Sequence, residues 1–365
     1  MPSPIFISKP SEAFSIWVIL RGLQLAILST YRSLQNPSIL YHPTYIPCLT
    51  RIAWMSLVVY VLLNGPLYLS KTIVFCGNHI NLFTVNGRTV QASLTQFMHT
   101  YLDLHIFLIT LAGYYDPQSD RLFLVNVQFS DSVNNTTYHQ NLTKLPCKKV
   151  VQQGSTWSQH LHDLLRNCPQ FKFFIRRYAK YYLFNLVIYA LVSYPSRLST
   201  LILCFILFQT VLDKLGSIST FGVIAVLNLL PSHYIGSFLA GYYGVSNLSQ
   251  DLLLAYFHRI NFTKFEQNQW LKSREGVLFG FGLFNYWLIK SYPAFSVIIY
   301  TLAQLNMGYL ITKLTDVPPS NTNALINWTS SQLVWTKQYS VIDGEFINDP
   351  FTSFPGSFIW EENEG

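Results

Sequence analysis

The chain has 365 residues, of which 50% are hydrophobic, 16% aromatic and only 11% charged, with a formal net charge of +7. Soluble domains carry about 25% charged residues. The deficit, together with a positive mean hydropathy, argues against an ordinary soluble domain and for a membrane-embedded chain, with a soluble protein of unusually apolar helices as the competing reading.

The N-terminus reads "MPSPIFISKPSEAFSIWVILRGLQLAILSTY". Pro2, Pro4 and Pro10 precede the apolar stretch, Arg21 interrupts it, and no small-residue cleavage site follows, so it does not fit a secretory signal. It predicts a retained amphipathic or poorly spanning helix. Further apolar segments fall near 52–69, 101–113, 181–194, 198–212, 215–243, 277–289 and 293–311. None is an uninterrupted run of the roughly 20 residues that a simple span requires. The expectation is therefore an all-α membrane protein built from several imperfect transmembrane or half-penetrating helices.

Four regions follow from the composition. Residues 1–113 hold the N-terminal membrane helices. Within them "NLFTVNGRTVQ" places Asn86-Gly87 between alternating residues, which predicts a small β-hairpin near 80–91. Residues 114–180 form a polar, basic insertion in which "RLFLVNVQFSD" (121–131) alternates like a strand. The insertion closes on Lys144, Lys148, Lys149, Arg166, Lys172, Arg176, Arg177 and Lys180 against Asp163 alone. Cations flanking a membrane segment predict a cytosolic loop and suit anionic headgroups, with a solvated basic face as the alternative.

Residues 181–315 form the membrane helix core, and two breaks mark it. Pro195 and Arg197 separate 183–194 from 198–212, and Lys290 and Pro293 separate 277–289 from 294–311. Proline removes a helix hydrogen bond and pushes its predecessor out of the helical region. A 13-residue helix rises only about 20 Å, short of a hydrocarbon core of about 30 Å. Each break is thus the corner of a helical hairpin or a kink in one span. Between the breaks, 251–275 carries an apolar stripe of Leu252, Leu253, Tyr256, Phe257 and Ile260 with Arg259, Lys264, Lys272 and Arg274, which predicts interfacial helices touching lipid headgroups. Residues 316–365 are acidic and rich in Pro, Ser and Asn, which predicts an extended, partly disordered tail.

Signs of chemistry are sparse. No nucleophile elbow, P-loop or His-Glu-x-x-His motif is present. Gly276 and Gly280 form a small-xxx-small pair and Gly282 follows, which suits close helix packing in lipid. His160, His162 and Asp163 have poor metal-ligand spacing. Asp103, near His99 and His105, would be an intramembrane carboxylate only if its helix inserted deeply. Five cysteines, Cys48, Cys76, Cys147, Cys168 and Cys204, form no metal or disulfide pattern. No catalytic residue, metal or cofactor is expected. The expected partners are membrane lipids or a lipid-droplet monolayer, with a homo-oligomer as an option, and no nucleic acid.

The stretch "SQDLLLAYFHRINFTKFEQNQWLKSREGVLFGFGLFNYWLIKSYPAFSVIIYTLAQ" and the opening "RGLQLAILSTYRSLQNPSILYHPTYIPCLTRIAWMSLVVYVLLNGPL" resemble the superfamily containing CysZ-type sulfate permeases and the etoposide-induced ER membrane protein. The shared elements are an amphipathic stretch ending in basic residues, a Gly-Phe-Gly helix and a mid-membrane proline. Within that superfamily the aromatic content, the insertion and the polar tail look most like the fungal Lds-type outer spore wall proteins. The resemblance implies a non-catalytic, multi-pass protein of lipid droplets and the prospore membrane that supports spore wall assembly. The alternative is a permease for a small anion such as sulfate, using Lys290 and Arg197. An enzyme of lipid or wall-polymer metabolism ranks last.

Overall fold

The computed structural model describes residues 14–36, 97–102, 104–115, 118–134, 136–145, 169–194, 197–228, 232–260, 262–320 and 322–333, with scattered helical positions between 50 and 76. Every element among them is helical. In chain order they are α1 (Ile16–Leu34), a π-helical turn (Phe97–Leu102), α2 (Leu104–Tyr115), α3 (Gln118–Asn134), α4 (Tyr138–Lys144), α5 (Pro169–Ser193) and α6 (Arg197–Asn228). They continue with α7 (Ser232–Leu252), α8 (Leu254–Phe257), α9 (Lys264–Ser273), α10 (Glu275–Ser291), a 3-10 turn (Pro293–Phe295), α11 (Ser296–Leu314) and α12 (Thr322–Ser331).

Local chemistry places the helix ends. Ser15 caps α1 by accepting from the Val18 amide at 3.3 Å. Thr263 and Glu266 close a reciprocal capping box on α9, which satisfies two amides that would otherwise lack partners. Pro293 has no amide to donate, so the α10 ladder stops before it and the chain resumes as α11.

Residues 121–131 are not a strand. They lie inside α3, whose Phe123 and Val127 are buried in the main core. The side chains that alternate in the sequence also include the i, i+4 pair Phe123 and Val127, and packing on α11 selects that periodicity. The acidic region is likewise not wholly extended, because α12 forms within it and buries Leu325. The hairpin expected near 80–91 lies outside the described residues, as does Pro195.

Glycines set the helix spacing. A methyl group added at Gly280 of α10 would overlap the Ile19 carbonyl of α1, and one at Gly22 would overlap the Val277 carbonyl. The two helices therefore meet backbone to backbone and run antiparallel. Gly282 packs in the same way on Ser249 and Val245 of α7, and Gly308 of α11 packs on Phe123 and Asn126 of α3. Of the expected small-xxx-small pair, Gly280 makes such a contact, while Gly276 is buried at the start of α10.

Hydrogen bonds fix the remaining directions. Asn306 of α11 donates to Thr30 of α1 at 2.6 Å. Asn126 of α3 donates to Ser33 of α1 at 2.9 Å and to the Leu305 carbonyl at 2.5 Å. Gly22 faces Val277 and Ile19 faces Gly280, while Thr30 pairs with Asn306, whose helix ends beside Arg32. So α11 runs along α1 and opposite to α10, and the chain reverses at Tyr292–Phe295. In α6 the rings of Phe208 and Phe221 stand 5.9 Å apart. Thirteen residues of straight helix rise about 20 Å, so α6 bends sharply between them.

Among the described residues one helical stretch, Pro293–Leu314, is long and apolar enough to cross a membrane, and most of it is buried inside the bundle. Cys76 and Cys204 are not disulfide-bonded.

Gly280→Ala is expected to lower stability by about 1–3 kcal/mol, because neither backbone can move aside cheaply. Gly241→Ala, which meets open space, is expected to be neutral or to stabilise by up to about 1 kcal/mol. Thermal unfolding of the purified proteins checks both, and equal effects would contradict the backbone contact.

Candidate functional site

Two buried polar clusters stand out in the bundle. The first centres on Asp251, near the C-terminal end of α7, whose side chain is 0% exposed. Arg177 of α5 pairs with Oδ1. Tyr178 donates its hydroxyl to Oδ2 at 2.5 Å, and Thr110 of α2 donates to the same oxygen at 3.1 Å. Arg177 also donates to Gln250 at 2.8 Å and lies over the Tyr178 ring.

A buried charge is tolerated only when it is paired and hydrogen-bonded. Asp251 meets that condition with partners from α2 and α5. Both carboxylate oxygens are engaged, so the ion pair joins α2, α5 and α7.

The second cluster centres on Arg274, between α9 and α10, which is 1% exposed. Its Nε donates to the Leu314 carbonyl at 3.0 Å. One terminal nitrogen donates to Ser273 at 2.8 Å and to the Gln332 carbonyl at 3.0 Å. The guanidinium stacks 4.6 Å from the Trp270 ring centroid. Burial pulls it down to about 10, and the neighbouring Tyr256, Tyr138 and Asp316 oppose the shift. It stays charged near neutral pH.

Around it Gln332 donates to Asp316 at 2.9 Å and accepts from the Asp316 amide at 3.2 Å. Tyr138 and Thr315 share a hydrogen bond of 2.6 Å. Arg274 thus ties the end of α11 and the end of α12 to the start of α10.

These contacts alter the expected headgroup set. Arg274 is buried and engaged inside the fold, so it does not reach a headgroup layer. Arg177 is half committed to Asp251, with 15% of its side chain exposed. Lys172, Arg176, Lys180, Lys264 and Lys272 are exposed, and Arg259 is half-buried. Composition counted these cations equally, whereas packing separates them by how deeply each is buried.

At the breaks, Arg197 and Lys290 are both exposed, with Lys290 near the Tyr286 ring, and Pro293 is exposed in the 3-10 turn. Asp103, His160, His162 and Asp163 lie outside the described residues, and the side chains of His99 and His105 do too.

Asp251 and Thr110 were not singled out from the sequence. The signal was present: one acid at the head of "DLLLAYF", an apolar run, cannot face that run's partners without a cation. No family model matches the chain, and no curated protein or solved structure shows significant similarity to it.

Asp251→Ala is expected to cost about 3–5 kcal/mol by leaving Arg177 without its carboxylate, whereas the paired change Arg177→Met with Asp251→Leu is expected to be near neutral. Unfolding midpoints of the three proteins check this. Arg274→Met is expected to free the segment after Leu314, since each lost charge-assisted bond is worth about 1.5–3 kcal/mol. Limited proteolysis reads this as faster cleavage between 316 and 332; an unchanged digestion pattern counts against the clamp.

Proposed function

We propose that the chain is a non-catalytic, membrane-embedded helical protein of lipid droplets and the prospore membrane that supports spore wall assembly. The observation that carries the membrane reading is the distribution of side chains between inside and outside. Large apolar residues face outward: Trp17 is 72% exposed, Leu183 66%, Leu198 67%, Phe205 59% and Trp287 59%. Inside, a hydrophobic core that includes Leu25, Phe123, Phe174 and Phe281 is joined by glycine contacts and by polar pairs between helices, as in Asn126 with Ser33, Asn306 with Thr30, Ser130 with Thr312 and Ser249 with the Leu278 carbonyl. Water would oppose such a surface, while lipid favours it and rewards small residues and hydrogen bonds between helices.

Pro293–Leu314 is long enough to cross a bilayer, but the two apolar passes on either side of Arg197 are shorter and suit a shallow embedding. From Leu183 to Tyr194 and from Leu198 to Leu212 they rise about 17 and 21 Å, and each is shorter than a hydrocarbon core of about 30 Å. The reversal at Tyr292–Phe295 and the bend in α6 suit helical hairpins that enter one leaflet and return. A droplet monolayer, with no aqueous far side, accepts only that geometry. The resemblance to fungal Lds-type outer spore wall proteins supplies the cellular setting. The anion-permease reading drew on Arg197 and Lys290, and both sit at exposed positions rather than in the interior.

A fluorescently tagged full chain is expected at droplets and the prospore membrane during sporulation, and in the membrane pellet after alkaline carbonate. Uniform plasma-membrane or mitochondrial signal would refute the localisation. Release into the carbonate supernatant would refute the embedding.

A further inference from the structure

The C-terminal ends of α3, α7 and α11 and the N-terminal parts of α5 and α10 gather at one end of the bundle. Ser130 meets Thr312, Arg177 meets Asp251, Ser249 meets the Leu278 carbonyl, and Arg274 meets the Leu314 carbonyl. The acids described at this end are committed within the fold. Asp131 accepts from the His139 amide at 2.6 Å, and Asp251 holds the α5 ion pair. Glu266 closes the α9 capping box, Glu275 pairs with Lys214, and Asp316 accepts from Gln332.

The cations at this end are distributed differently. Lys144, Lys172, Arg176, Lys180, Lys264 and Lys272 all hold exposed positions. On α5 the spacing of Lys172, Arg176 and Lys180 is four residues, which aligns them as one stripe. The same exposed stripe continues as Leu183 and Val187 and ends at Tyr194. The change from cation to hydrocarbon within one helical turn is what a helix shows where it passes from headgroups into lipid, with long cationic side chains reaching back to the interface.

We propose that this end lies in the headgroup layer of a cytosol-facing leaflet and that Lys172, Arg176 and Lys180 bind the headgroups of anionic phospholipids. The inference rests on the membrane-embedded reading above. Among the described residues at this end the cations outnumber the acids, and such a positive rim is attracted by an anionic leaflet and not by a neutral one. The exposed sequon residues Asn134 and Asn327 share this end, so on a cytosolic face they carry no glycan.

The test uses the full chain in mixed phosphatidylcholine and phosphatidylserine, with bound lipid counted by native mass spectrometry. Each exposed cation near an anionic surface contributes a factor of about five in affinity, so three contribute about a hundredfold. The triple variant Lys172→Gln, Arg176→Gln, Lys180→Gln is expected to lose the phosphatidylserine preference by at least about tenfold. Arg197→Gln with Lys290→Gln, at the other end, is expected to keep it.

Equal preference in the triple variant and the native chain overturns the proposal. So does a preference erased by inorganic phosphate at fixed ionic strength, which would mark a free-anion site. A glycan on Asn134 or Asn327, seen as a glycosidase-sensitive mass shift lost in Asn134→Gln or Asn327→Gln, overturns the orientation. Retention in the carbonate pellet without lipid preference defeats this inference alone, whereas release by carbonate defeats the embedded reading with it.

Discussion

Helices α1 and α10 cross backbone to backbone, where Gly22 rests on the Val277 carbonyl and Gly280 on the Ile19 carbonyl. At that separation there is no room for side chains between the helices, so dispersion along two backbones replaces a conventional hydrophobic seam. The position of α10 in turn sets where Arg274 and Tyr292 lie at its two ends. Arg274 then reaches the end of α11, and the reversal at Tyr292–Phe295 sends α11 back along α1. The repeated use of glycine at Gly282 and Gly308 carries the same close spacing to α7 and α3.

Polar chemistry inside the bundle serves assembly. The Asp251 cluster joins α2, α5 and α7, and the Arg274 cluster joins α10, α11 and α12. Both place one charge among several hydrogen-bond partners, because an isolated buried charge would cost far more than a single contact returns.

The outward faces carry the other half of the physical account. Hydrophobic burial stabilises a soluble fold by removing apolar surface from water, and here much large apolar surface stays outside. That surface becomes favourable once lipid surrounds it, and internal stability then depends on packing density and hydrogen bonds. On the proposed embedding, the cationic stripe of α5 marks the boundary between the two environments.

The sequence alone determined the helical class, the positions of the Pro293 break and the glycine-rich helix, and the gathering of cations near 172–180 and 259–274. These follow from local rules: proline lacks an amide, glycine lacks a Cβ, and apolar runs favour helices in lipid. The alternation at 121–131 misled because period 2 and period 3.6 agree over so short a run, and contact with α11 decided the matter. Tertiary structure alone decided which cations face outward. Arg274 and Lys272 are two residues apart and chemically similar, yet one is buried under Trp270 and bonded to Leu314 and Gln332, while the other is exposed. That difference depends on residues some 40 and 58 positions away in the chain, and no local pattern encodes it. The pairing of Arg177 with Asp251 is of the same kind, because it exists only after α5 and α7 have packed side by side.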